Sequence, residues 1–190
     1  NFYIHESIKN KKNILVEKPA FMNFQDFNSI KNALSNKNIF FTEGFMYRHL
    51  PHIKKLKEIL ENNILGNLIK IESNFNIRVF KQKNFLGIKF KKPDYSNRLF
   101  NKELGGGAIL DVGCYPLSLS TLINSLSYKV DLSNISLENV KTLHCESKVD
   151  IYSEAEFNFD NKFYSKIVCS FKDKLNQNSK IYFKHGLLDI

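Results

Sequence analysis

Ile14-Leu15-Val16-Glu17-Lys18-Pro19, answered further along by Ile39-Phe40-Phe41-Thr42-Glu43-Gly44, is the stretch on which the fold turns. Both segments open on short apolar runs. Between them Phe27, Ile30, Ala33 and Leu34 recur at helical spacing, with Asn23 placed to cap and Asp26 three residues on. A strand, a helix and a strand in so short a span form a parallel βαβ unit of an open α/β sheet. In such sheets ligands bind beyond the carboxyl ends of the strands, which here are Glu17-Lys18-Pro19 and Thr42-Glu43-Gly44.

Further along, Pro51 suits a first helical turn, and Ile53, Leu56, Ile59 and Leu60 predict an amphipathic helix closing near Gly66. The pattern then changes period. From Leu68 to Val79 the odd positions Ile69, Ile71, Phe75, Ile77 and Val79 are apolar, and the even ones include Lys70, Glu72, Asn74 and Arg78. Alternation of this kind is a strand with one wet face, typical of antiparallel sheet. It returns at Val149–Phe159 and Phe163–Phe171, with Asp160-Asn161 as the turn between. The fold expected is α/β over 1–46, part of an open parallel sheet, followed by α+β over 47–190 on a mainly antiparallel sheet. Residues 80–103, basic and aromatic, are expected as one long irregular loop of the sort that crosses active sites.

At 190 residues and 43% hydrophobic the chain buries a real core. No apolar run reaches about 18 residues, and no bilayer span is expected. Cys114, Cys145 and Cys169 lie far apart with no C-x-x-C pair, which fits a reduced, cytoplasmic setting. The net charge of +9 is spread rather than clustered and reads as solvated faces, so no nucleic-acid partner is expected. His49-x-x-His52 has no evident third ligand, so no metal site is expected either.

Chemistry concentrates in Glu103-Leu104-Gly105-Gly106-Gly107-Ala108-Ile109-Leu110-Asp111-Val112-Gly113-Cys114-Tyr115-Pro116. On a helix, Asp111 and Tyr115 share a face. Leu110 stands where a dinucleotide fingerprint needs its third glycine, so the run is a helix entrance rather than a phosphate loop. Each candidate has a plain structural reading beside it. Lys18 is either a crevice lysine or a solvated one, Asp111 and Tyr115 a proton-handling pair or a helix-start carboxylate and a core phenol. Pro116 should kink the helix beside Tyr115.

Glu17-Lys18-Pro19, Glu43-Gly44-Phe45-Met46-Tyr47-Arg48, Asn97-Arg98-Leu99 and Gly105–Pro116, in that order, resemble the Gfo/Idh/MocA family of NAD(P)-dependent oxidoreductases. The resemblance implies a Rossmann domain, of which 1–46 is the C-terminal part, followed by a substrate domain over 47–190 on a large sheet. It implies NAD or NADP as cofactor, held by His5, Glu17, Lys18 and Pro19, and Lys18, Asp111 and Tyr115 as catalytic residues. Tyr47, Arg48 and Arg98 then line the substrate pocket, although both arginines serve equally well as structural ties. Where many members carry histidine, Tyr115 is similar to the glucose-fructose oxidoreductase and dimeric dihydrodiol dehydrogenase branches. Substrates implied are a sugar, polyol or dihydrodiol, with homo-oligomers forming through the open sheet face. Hydride removal from an alcohol needs a base for its proton; a phenol is a weak one at neutral pH, and an ammonium such as that of Lys18 favours phenolate. The family's glycine fingerprint and final strands have no counterpart, so a fragment, by itself a poor binder of dinucleotide, is expected. Rival readings are a non-catalytic binding or oligomerisation module and, third, a basic RNA-binding domain.

Overall fold

The computed structural model describes residues 1–84, 87–90, 94–172 and 177–190, over 81–84 and 87–90 as backbone alone. Two compact units divide the chain, 1–48 and 49–190.

In the first unit, helix α1 (Phe2–Lys9) leads to strand β1 (Ile14–Val16), helix α2 (Phe24–Leu34) and strand β2 (Phe41–Glu43), and the two strands pair in parallel. Asn23 caps α2, its side-chain oxygen accepting from the Asp26 N–H at 2.8 Å. Ile4, Ile8, Ile14 and Ile30 meet as a small buried core. The crossover expected from the two apolar runs is therefore present.

In the second unit, helix α3 (Pro51–Glu61) begins on its proline and buries Ile53, Leu56 and Leu60. Strand β3 (Leu68–Asn76) follows, then a separate hairpin of β4 (Lys81–Asn84) and β5 (Gly87–Phe90), helix α4 (Cys114–Leu126), and strands β6 (Ile135–His144), β7 (Asp150–Phe159), β8 (Phe163–Ser170), β9 (Ser179–Phe183) and β10 (Gly186–Asp189). Six strands form one sheet in the order β10-β9-β3-β8-β7-β6. Every join is antiparallel except β3–β8, which is parallel. A parallel join requires a crossover, and the long connection containing α4 supplies it. Asp160 and Asn161, both at positive φ, form the turn of the β7–β8 hairpin, where the Lys162 N–H donates to the Phe159 carbonyl at 2.9 Å.

Odd-numbered residues of β3, β7, β8 and β9 share the helix-covered face because the register aligns odd with odd: Ile71 sits between Ser165 and Ile181, and Ala155 opposite Ile167. Ile69 departs from the expected alternation. A bulge between Leu68 and Lys70 turns it out, 52% exposed, and buries Leu68 instead. The loop expected over 80–103 also needs correction, since it holds the β4–β5 hairpin and, from Arg98 to Leu104, two turns of 3₁₀ helix. Strands of four mostly polar residues carry no periodic signal. Residues 85, 86 and 91–93, including part of the basic run to Lys92, lie outside the described residues.

Helical turns from Lys102 to Leu126 together make a 25-residue run long and apolar enough, by length and composition, to cross a bilayer. Interrupting serines hid it from a count of unbroken apolar residues. Of its most apolar window 61% is buried within the protein, and α4 packs on β3 and β8 as a core helix.

Candidate active site

In the second unit the chain enters the α4 region through Gly105-Gly106-Gly107, and the reason for glycine differs from that in a phosphate loop. A Cβ on Gly106 would lie 2.7–2.8 Å from the carbonyl oxygens of Arg98, Leu99 and Asn101. One on Gly107, whose φ is +117°, would collide with Asp150 Oδ1. The run is thus packed, not open. Asp150, at the start of β7, anchors the entrance: its Oδ2 accepts from the Ile109 N–H and from Ser153 Oγ, each at 2.8 Å. Sequence reasoning missed Asp150, because a contact across 41 residues leaves no local signal.

Residues Ile109–Gly113 form a π-helical turn ahead of α4. Such turns insert one residue into an α-helix and are frequent at functional sites. This modifies the expectation that Asp111 and Tyr115 project together from one regular helix, since the first lies in the wide turn and the second in the narrower α4. Gly113 shows why the wide turn stays pressed to the sheet, for a Cβ there would stand 2.9 Å from Cys169 Sγ. Cys169 is fully buried, and burial first, then the Asp150 charge, pushes its thiol up to about 12. It is an inert packing thiol. Pro116 follows the π turn by three residues and is buried in α4.

Asp111 is 8% exposed, and its Oδ1 accepts from Arg98 Nη2 at 2.9 Å. Of the two roles open to Arg98, tying its loop to the helix is directly seen. The Arg98 side chain remains more than half exposed, so it binds Asp111 without being sealed away. Tyr115 is half-buried, its ring 5.0 Å from that of Phe75 on β3. Cys114 Sγ points to the Asp111 carbonyl at 3.7 Å.

The first unit holds the remaining candidates. Glu17, Lys18 and Pro19 follow β1 directly, and the Lys18–Pro19 peptide is cis. Glu43 Oε1, at the end of β2, accepts from the Ala20 N–H at 2.8 Å, and the Gly44 N–H donates to the Val16 carbonyl at 2.8 Å. Both strand ends are thereby tied into one shelf. A Cβ at Gly44 would come within 3.3 Å of the Val16 oxygen, so the two strand ends meet closely there. Lys18 is half-buried on it. Tyr47 packs edge-on against Phe45, with Arg48 5.9 Å from the same ring. His5 lies on the exposed side of α1. Among the described residues no cluster of His, Cys, Asp and Glu is suited to a metal ion.

The uncovered face of the six-stranded sheet carries a ladder of charges. Glu72 accepts from Lys70 and the Tyr182 hydroxyl at 2.8 and 2.7 Å; Glu154 accepts from Lys166 and the Tyr152 hydroxyl at 2.8 and 2.6 Å. Lys70 and Tyr182 hold the Glu72 carboxyl below its ordinary range, and Lys166 and Tyr152 do the same for Glu154.

A family profile, the GFO/IDH/MocA C-terminal domain, matches residues 53–189. The trans-1,2-dihydrobenzene-1,2-diol dehydrogenase of Xenopus tropicalis is 30% identical over 116 residues, 61% of this chain and 31% of that protein. The glucose-6-phosphate 3-dehydrogenase of Bacillus subtilis is 24% identical over 168 residues, 87% of this chain and 45% of that one. Among solved structures, an NAD-binding oxidoreductase from Klebsiella pneumoniae matches with a TM-score of 0.80 at 18% identity, covering all of this chain and 50% of that one. A 3-ketoreductase from Actinomadura kijaniata, in complex with NADP and TDP-benzene, matches with 0.77 at 18% identity, covering 99% and 52%. The chain thus spans about half the length of the structures it matches, and the aligned segment less than half of these curated relatives.

Proposed function

The chain belongs to the GFO/IDH/MocA family, and from that premise we propose that it serves an oxidoreductase moving a hydride between NAD or NADP and a secondary hydroxyl or carbonyl of a sugar, polyol or dihydrodiol. The observation that carries this reading is Asp111: a buried carboxylate, ion-paired to Arg98, on a π turn one helical step before a half-buried tyrosine. A helix that only filled the core would not need a charge at that place.

The shelf formed by Val16, Glu17 and Gly44 lies just beyond the carboxyl ends of two parallel strands, where ligands of open α/β sheets bind. Glu17, Lys18 and Pro19, with His5, would hold NAD or NADP. The nicotinamide, when bound, supplies the hydride acceptor. Tyr115 takes the hydroxyl proton as the substrate is oxidised and returns it on reduction. Lys18 donates to the substrate oxygen. Asp111, fixed by Arg98, positions the tyrosine's helix, while Tyr47, Arg48 and the exposed part of Arg98 bind substrate hydroxyls.

Tyr115→Phe removes only the titrating oxygen. Turnover should fall about 10²-fold or more, with cofactor affinity by fluorescence titration nearly unchanged. Unchanged turnover would remove Tyr115 from the chemistry.

The charge ladder on the uncovered sheet face favours a second property, pairing of two copies through that face. Across a two-fold axis residue i of one copy meets residue j of the other and j meets i, so alternating Lys and Glu rows can interlock. Glu154→Lys should shift sedimentation toward the monomer, and a profile that does not move would reject the pairing.

A further inference from the structure

At the end of the first unit opposite the Glu17–Pro19 shelf, where the chain enters β1 and β2, lies a cavity of about 350 Å³. That volume is within the range of small-molecule sites. Its rim carries Lys9, Lys11 and Lys37 with the amides of Asn36 and Asn38, and its floor is apolar, from Ile8 and Ile39. No carboxylate is among its described lining residues.

Lysines at the ends of helices often serve only to neutralise the helix dipole, and here that service is already provided. The Glu6, Ser7 and Ile8 carbonyls of α1 accept from the Asn10, Lys12 and Lys11 N–H groups, and the Lys31 and Leu34 carbonyls of α2 accept from the Ser35 and Lys37 N–H groups. The ammonium groups are not consumed in capping. Among the described residues none of the three takes part in an ion pair, whereas Lys70 and Lys166 on the large sheet each hold a glutamate. Lys11 and Asn36 are also held at φ +53° and +61°, a conformation uncommon outside glycine, and one that turns both loops sharply at the cavity.

We propose that this cavity is an anion site for a diphosphate group, free or as the head of a larger phosphorylated metabolite. Its oxygens would be shared among the three ammonium groups, and an attached organic group would lie on Ile8 and Ile39. The site is independent of the reaction proposed above, because it faces the opposite end of β1 and β2.

Isothermal titration of inorganic pyrophosphate, and separately of ADP, into the 190-residue chain tests it, with amide chemical shifts locating the ligand. One saturable site is expected, with shifts at residues 8–11 and 36–39 and weaker binding at higher salt. Lys11→Gln and Lys37→Gln should each weaken it about tenfold, and Lys18→Gln should leave it unchanged. Tighter binding of ADP than of pyrophosphate assigns the apolar floor to an organic moiety, and equal binding assigns the site to the free diphosphate. Non-saturating shifts spread over all lysines, unaltered affinity in both variants, or loss of binding in Lys18→Gln would each overturn the proposal.

Discussion

The two faces of the six-stranded sheet are built from the same strands, one residue apart, and obey different physics. On the helix-covered face Ile71, Ser165, Cys169 and Ile181 have no exposure, Ile167 has 1%, and the polar Ser165 shares a 2.6 Å hydrogen bond with Ser120 of α4. On the other, Glu72, Glu154, Lys166 and Tyr182 hold one another in the presence of water. Close packing makes the first face intolerant of any change in volume; screening makes the second replaceable piece by piece. A group that must keep its place belongs on the first, and that is where the π turn with Asp111 is pressed.

The contrast is broken most severely where the helix entrance meets β7. Gly107→Ala adds a methyl onto Asp150 Oδ1 at a φ unsuited to alanine, and both faults act on backbone that cannot move away. A loss of about 4 kcal/mol is expected in urea unfolding, or no folded protein at all. Ile167→Ala, which empties a buried site on the helix-covered face of β8, should cost about 3 kcal/mol in the same measurement.

Much of this was legible beforehand, because both periods survive in single residues. Odd apolar positions marked the covered face of β3, β7 and β8, and Phe27, Ile30 and Ala33 marked α2. The parallel β3–β8 join was not legible, since alternation fixes which face a residue takes but not which strand lies beside it. Nor was the π turn, which depends on Gly113 meeting Cys169, a residue far along the chain. For the site, Asp111 and Tyr115 were singled out by their spacing, and Arg98 by the family resemblance. The Arg98–Asp111 pair and the Asp150 anchor came only from the fold.

The uncovered face should respond to acid before the covered one. Glu72 and Glu154 both have carboxyls lowered by their hydrogen-bonding lysine and tyrosine partners. A group lower in the folded than in the unfolded state contributes its full stability above the unfolded value and loses it as pH falls through the folded one. Unfolding free energy should therefore decline below pH 4.5, the ordinary value for these groups. Glu154→Gln should cost about 1 kcal/mol at neutral pH and flatten that decline; an unchanged acid limb would show that these contacts are not formed in solution.

The smallest expected effect decides what separates the faces. Lys55 and Glu58 on α3 meet at 2.7 Å, as short as the 2.8 Å between Lys166 and Glu154. Their side chains are 66% and 58% exposed, against 36% and 15% for the sheet pair. If distance set the strength, Lys55→Ala and Glu154→Gln would cost alike. Water competes for the exposed pair and both long side chains lose freedom in forming it, so Lys55→Ala should shift stability by less than about 0.5 kcal/mol. A loss as large as that of Glu154→Gln would mean that partial shelter on the sheet adds nothing, and that the charge ladder is surface decoration rather than a surface prepared for a partner.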